Sequence, residues 1–131
     1  MKGSARSCMT GVAAALLTGA GFWLIPARYA LDGYAILLVL AASIYLGSAL
    51  AHPDRDTLMR EAVAAAAFIG LALAGRWTGP RFLIVGYLAH GLWDALHGIR
   101  AIHVPLKTWW PPFCLCYDWV VAVLIYLRWP A

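Results

Sequence analysis

Charge is what this sequence has least of. Of its 131 residues only 12% are Asp, Glu, Lys or Arg, while 63% are hydrophobic; a soluble domain carries about 25% charged residues. The mean hydropathy is +0.75. This composition argues against a water-soluble globular domain and for an integral membrane protein. Ten Lys and Arg against six Asp and Glu leave a net charge of +4. The basic residues stand at the ends of apolar runs and form no soluble patch interleaved with aromatics, so nucleic acid is not an expected partner and membrane lipids are. Cysteine is scarce too, with three residues, Cys8, Cys114 and Cys116. The count is odd and the C-x-C spacing is not a C-x-x-C motif, so no disulfide framework is expected. All three read as small buried apolar residues. Internal repeats and low-complexity linkers are missing as well, which leaves room for one transmembrane domain over residues 1–131.

Five apolar stretches are present, at about 9–25, 33–51, 58–75, 82–98 and 113–129. The first follows Lys2 and Arg6 and resembles a signal peptide. It is long for the apolar core of one, however, and Arg28 stands where a small residue is wanted, so it reads as a span. Asp56 or Thr57 could cap the third stretch, which opens with Glu61. Its run Ala64-Ala-Ala-Ala67 lets backbones approach closely, so this helix is expected at the centre of the bundle. The longest loop, 99–112, carries Arg100, His103, Lys107 and the cluster Trp109-Trp110-Pro111-Pro112, and is expected to lie along the headgroups. Five spans put Lys2, Arg6, Arg55, Arg60, Arg100 and Lys107 on the N-terminal side, against Arg28, Arg76, Arg81 and Arg128 on the other. That excess points to a cytoplasmic N-terminus in a bacterial inner membrane.

Within the fourth stretch lies His90-Gly-Leu-Trp-Asp94-Ala-Leu-His97. An α-helix advances about 100° per residue, so positions 90, 94 and 97 fall within roughly 60° of one another. An ionisable side chain at membrane depth costs about 2.5–3.5 kcal/mol on insertion scales, so this face must turn towards protein or water. Alternation of spans then brings other polar residues to the same half of the membrane. Glu61 opens the third span, Asp94 and His97 end the fourth with His90 deeper, Asp118 lies near the start of the fifth, and Tyr45 lies near the end of the second. The other half is almost purely apolar. The expected architecture is an all-α bundle of five transmembrane helices, with a polar pocket open to the cytoplasmic face and floored by hydrocarbon.

Four chemistries fit such a pocket. His90, Asp94 and His97, with Glu61 and Asp118 from neighbouring helices, could ligate a divalent metal such as Zn or Fe. Without a metal, the same carboxylates and imidazoles could act as acid and base on an apolar substrate such as a sterol, terpenoid or quinone, with Tyr45 as a proton donor. Paired His and Asp could relay protons or carry ions, although the apolar half gives one chain no through-path and a homo-oligomer would have to supply it. Or the groups could simply hydrogen-bond across helices, at about 0.6 kcal/mol each. His52 and His103 sit in loops and read as solvated, Trp93 as packing against lipid or another helix, and Arg100 as meeting lipid phosphate.

The string Gly-Tyr-Leu-Ala-His90-Gly-Leu-Trp93-Asp94-Ala-Leu-His97, a Pro-rich loop and then Pro112-Phe-Cys-Leu-Cys-Tyr-Asp118 resembles a family of small bacterial five-span membrane proteins known as a domain of unknown function. Glu61 resembles a family Glu at the start of the third span. The resemblance covers the C-terminal half well and the first two spans in outline. It departs at Gly98, where the family pattern has the second of two adjacent His. It implies the five-span layout and the candidate residues, and no reaction. The expected function is a small membrane enzyme of isomerase, cyclase or hydrolase type, acting on a lipophilic substrate. The alternative is a non-catalytic transport or binding protein for a metal ion or hydrophobic small molecule.

Overall fold

Prolines and one glycine set the joints of the chain. Pro26 precedes the second helix, and Gly79, with φ 153°, and Pro80 turn the third into the fourth. The computed structural model describes residues 2–52 and 54–130. Among the described residues there are five α-helices and no strand: α1 (Lys2–Trp23), α2 (Ala27–Leu50), α3 (Arg55–Trp77), α4 (Arg81–Gly98) and α5 (Trp110–Arg128). α5 begins earlier than expected, because Trp110, Pro111 and Pro112 form its first turn. The physical reason is that the first turn of a helix has no use for the N–H groups that proline lacks. Asp54 precedes α3 in place of the expected Asp56 or Thr57. The Thr57 hydroxyl donates back to it, and this bond holds the Asp54 carboxyl below the usual carboxylate range.

Three of the five helices, α2, α3 and α5, are long and apolar enough to cross a membrane, where five were expected. α1 is diluted by its glycines, serines and threonines. α4 is diluted by the His and Asp that it turns inward, and spans only 18 residues. α1 and α4 both lie along α5, α2 lies along α3, and α3 meets α4. The alanine run of α3 does not make it central: Ala65 is buried, but Ala66 and Ala67 face outward. The central helix is α4, which touches α2, α3 and α5 and buries Leu83, Gly86, Tyr87, His90, Gly91, Asp94 and His97.

α1 and α5 run parallel. Cys8 and Cys116 join them by a disulfide at one end, and Arg128 donates to the Phe22 carbonyl at the other. This corrects the expectation that the cysteines form no disulfide. The two residues are 108 apart in sequence, and only the packing of α1 on α5 brings their Cα atoms to 5.3 Å. Cys114 is free and buried, as expected.

The bundle has two dissimilar halves. At the end holding Trp23 and Ala27, the core is Tyr34, Leu38, Ala72, Leu83, Val121 and Ile125 with their neighbours. The Tyr87 hydroxyl donates to the Tyr34 carbonyl there at 2.7 Å. At the N-terminal end the core is polar and capped by the loop after α4. That loop does not simply lie along the surface. Ser48 donates to the Pro105 carbonyl at 3.0 Å and Arg60 to that of His103 at 3.2 Å, with Val104 tucked in beside Tyr45 and Ala49.

α4 ends in a left-handed turn. The Ala101 N–H bonds the Leu96 carbonyl at 2.9 Å and the Arg100 N–H bonds that of His97 at 3.1 Å, the pairing that usually places glycine at the left-handed position. Here that position is Arg100, with φ 58°. A side chain there costs about 1–2 kcal/mol.

Candidate functional site

All six residues singled out from the sequence are buried in the N-terminal half: Tyr45 on α2, Glu61 on α3, His90, Asp94 and His97 on α4, and Asp118 on α5. The 3.6-residue period of α4 turns its three inward. They do not form one cluster, because each carboxylate finds its own partners.

The first group is built on His90. Its Nδ1–H donates to Asp118 Oδ2 at 2.6 Å, and Asp94 Oδ2 lies 3.3 Å from the same nitrogen. The Tyr45 hydroxyl donates to Asp94 Oδ1 at 2.5 Å. α2, α4 and α5 thus supply every polar atom of this group. α3 adds the Phe68 ring, edge-on to the imidazole at 4.9 Å between centroids. His90, Asp94 and Asp118 are each 0% exposed. His90 Nε2, Asp94 Oδ2 and Asp118 Oδ1 are buried without a hydrogen-bond partner. Such atoms are exceptional in native structures. One ligand atom from each of the three residues lies within 4.8 Å of the others, a set able to hold a metal ion.

The second group is built on Glu61. Its Oε1 accepts from Arg60 Nε at 3.1 Å and from His97 Nε2 at 3.2 Å, and its Oε2 accepts from Trp93 Nε1 at 3.1 Å. His97 Nδ1 meets the Trp93 carbonyl at 2.9 Å. Both ring nitrogens of His97 therefore face acceptors, and neither faces a vacant position. The expected ligand set of five is thus divided, with His90, Asp94 and Asp118 together and Glu61 with His97 apart. Tyr45 joins the two groups: its ring stacks on His97, 4.0 Å between centroids and 27° between planes, while its hydroxyl reaches Asp94.

Two hollows approach the site from the N-terminal end. One, of about 220 Å³, has Tyr45 and His97 among its lining, with Arg100, His103 and Lys107 around it. The other, also about 220 Å³, has Asp94, Ala95, Ile99 and Leu115 among its lining. Both are lined by Gly98, so they flank the end of α4.

Residues 6–131 match DUF6010, described as a family of unknown function. The chain belongs to this family. The match takes in both bonded groups and both disulfide cysteines. No curated protein and no solved structure matches the chain.

Two residues of this DUF6010 member gain a role that the sequence did not suggest. Trp93 donates to Glu61 instead of packing only on apolar neighbours, and Arg60 pairs with the adjacent Glu61. A signal for Trp93 was available: positions 93 and 97 are one helical turn apart and share a face. Arg60 carried none, since adjacent residues on a helix point about 100° apart and the pair depends on how the long side chain folds back. Arg100, expected at lipid phosphate, forms no ion pair with Asp94 or Asp118 among the described residues.

Proposed function

We propose that this protein is a small membrane enzyme that acts on a lipophilic substrate by isomerisation, cyclisation or hydrolysis. In this reading His90, Asp94 and Asp118 hold a divalent cation of the zinc or iron kind, and the Tyr45 hydroxyl fixes Asp94. One observation carries it: three ionisable side chains from two helices meet in a fully buried place with an unpartnered polar atom on each. Two carboxylates and one imidazole leave negative charge to be balanced, and no Lys or Arg pairs with either aspartate among the described residues. A cation in that place would balance the charge and polarise a substrate oxygen. The Glu61 group acts as a brace, since its charge is met by Arg60, Trp93 and His97.

We further propose five membrane crossings. α1 and α4 are packed against α5, itself long and apolar enough to cross, so a bundle that crosses by α2, α3 and α5 carries them with it. Their outward residues support this: Leu17, Val85, Leu88 and Leu92 are exposed. For orientation, six basic residues against four favour a cytoplasmic N-terminus, and setting aside Arg60 and Arg76, paired with Glu61 and Asp32, leaves five against three. The Cys8–Cys116 disulfide lies at that same end, and disulfides persist in oxidising compartments. The disulfide is the stronger of the two indications, and we place the polar end on the oxidising side. Transport across the bundle is disfavoured by the filled apolar half around Tyr34, Leu38 and Leu83, each 0% exposed.

The test is turnover. Purified protein, wild type or Asp118→Asn, is incubated with a lipid extract of the source cells, and the extract is analysed by mass spectrometry. The expected result is a lipophilic species consumed by the wild type and left intact by the variant. Identical extracts would contradict the enzyme reading.

A further inference from the structure

We propose that the cavity over Tyr45 and His97 receives the head of an anionic amphiphile, a phosphate or carboxylate borne on a hydrocarbon chain. Four observations lead there. Arg100, Lys107 and His103 line the cavity, and no acidic side chain does. Arg60 and Arg76 are matched to Glu61 and Asp32, whereas Arg100 and Lys107 meet no carboxylate among the described residues. Arg100 occupies a left-handed backbone position, φ 58°, that glycine would fill without strain. A strained residue beside a cavity is the kind of outlier from which function is inferred. Size supplies the fourth: about 220 Å³ falls below the roughly 300–1,000 Å³ of pockets that enclose a whole drug-sized molecule. The space suits a head group and not a complete lipid.

The tail has a route of its own. The adjoining hollow shares Gly98 with the cavity and has Ile99, Pro112, Leu115 and Asp94 among its lining. A head held by the arginine and lysine would lay the first part of its chain along these apolar residues, towards the bilayer. Arginine suits this task because its planar fork binds phosphate or carboxylate through two parallel hydrogen bonds. The floor matters as well. Tyr45 and His97 belong to the two bonded groups, so a head in the cavity sits one side chain away from Asp94. This assignment deepens the proposed function by naming the polar end of the substrate, and it rests on that reading for any turnover of the bound molecule.

Binding is therefore measured without turnover. Dodecyl phosphate is titrated into the protein in a neutral maltoside detergent and followed by native mass spectrometry, with inorganic phosphate as the soluble counterpart. The wild type is expected to take up dodecyl phosphate saturably. Arg100→Gln and Lys107→Gln are each expected to weaken it about tenfold or more, as loss of a charge-assisted hydrogen bond implies. Arg55→Gln, an exposed change at the same end but outside the cavity, is expected to leave it unchanged. Equal weakening by all three variants would mean a general cationic surface and would overturn the proposal. Inorganic phosphate binding as tightly as dodecyl phosphate would overturn the assignment to an amphiphile. Saturable, Arg100-dependent binding alongside unchanged lipid extracts would sink the enzyme reading and leave the anion site standing.

Discussion

Replacing His90 with alanine is expected to destabilise the bundle by about 3–5 kcal/mol, the cost of leaving buried charge without its partner. The imidazole stands between two carboxylates, 2.6 Å from Asp118 and 3.3 Å from Asp94, and all three side chains are shut off from solvent. Without it Asp118 loses the donor it is bonded to, and Asp94 keeps only Tyr45. His97→Ala provides the comparison. Glu61 then retains Arg60 and Trp93, so the loss is expected nearer the roughly 1.5–3 kcal/mol of a single hydrogen bond to a charged group. Thermal unfolding of both variants in one detergent decides the matter. A His90→Ala protein no less stable than His97→Ala would contradict the view that the first group is the tightly coupled one.

Gly11→Val is expected to separate α1 from α5. A Cβ built at Gly11 lands on the Phe113 carbonyl oxygen and lies 3.2 Å from the Tyr117 nitrogen. Both are backbone atoms of a packed helix and cannot turn aside. Gly11, Ala15 and Gly19 are all buried and four residues apart, a small-residue stripe that lets two helices approach closely in lipid. Forcing the helices apart at Gly11 moves Cys8, three residues away, from Cys116. The disulfide closes a long loop of chain, its cysteines 108 residues apart, and its loss costs about 2–4 kcal/mol on top of the steric strain. Thiol alkylation of the unfolded, unreduced protein reads this directly. The wild type should be labelled at Cys114 alone, and the variant also at Cys8 and Cys116. Gly21→Ala is the control, since nothing lies within 4 Å of a Cβ there. Labelling of Gly11→Val at Cys114 alone, with unchanged stability, would contradict the close contact.

The sequence brought the six candidate residues to one end of the bundle for a definite reason. Helical periodicity fixes which residues of α4 share a face, and alternation of helix direction fixes which residues of neighbouring helices lie at the same depth. Neither argument needs the rotation of one helix about its axis relative to the next. The pairing within the site does need it, which is why His97 could be placed beside His90 in sequence but not assigned to Glu61. The same gap hid the disulfide. The stripe at Gly11, Ala15 and Gly19 is legible at its four-residue spacing, yet nothing in the sequence says that it faces α5. Pro111 and Pro112 read as loop because proline interrupts helices; their acceptance in the first turn of α5 depends on where the helix starts. Arg100 was legible as a charge, whereas its left-handed backbone depends on the turn that ends α4.

Metal content decides the claim that His90, Asp94 and Asp118 hold a cation. Detergent-purified wild type, His90→Ala, Asp118→Asn and His97→Ala are analysed by plasma mass spectrometry after identical handling. The expected result is near-stoichiometric zinc or iron in the wild type and in His97→Ala, and its loss from His90→Ala and Asp118→Asn. Metal in none of them after reconstitution, or retained equally by all four, would contradict the claim. The first group would then be a metal-free set of buried acids and a base.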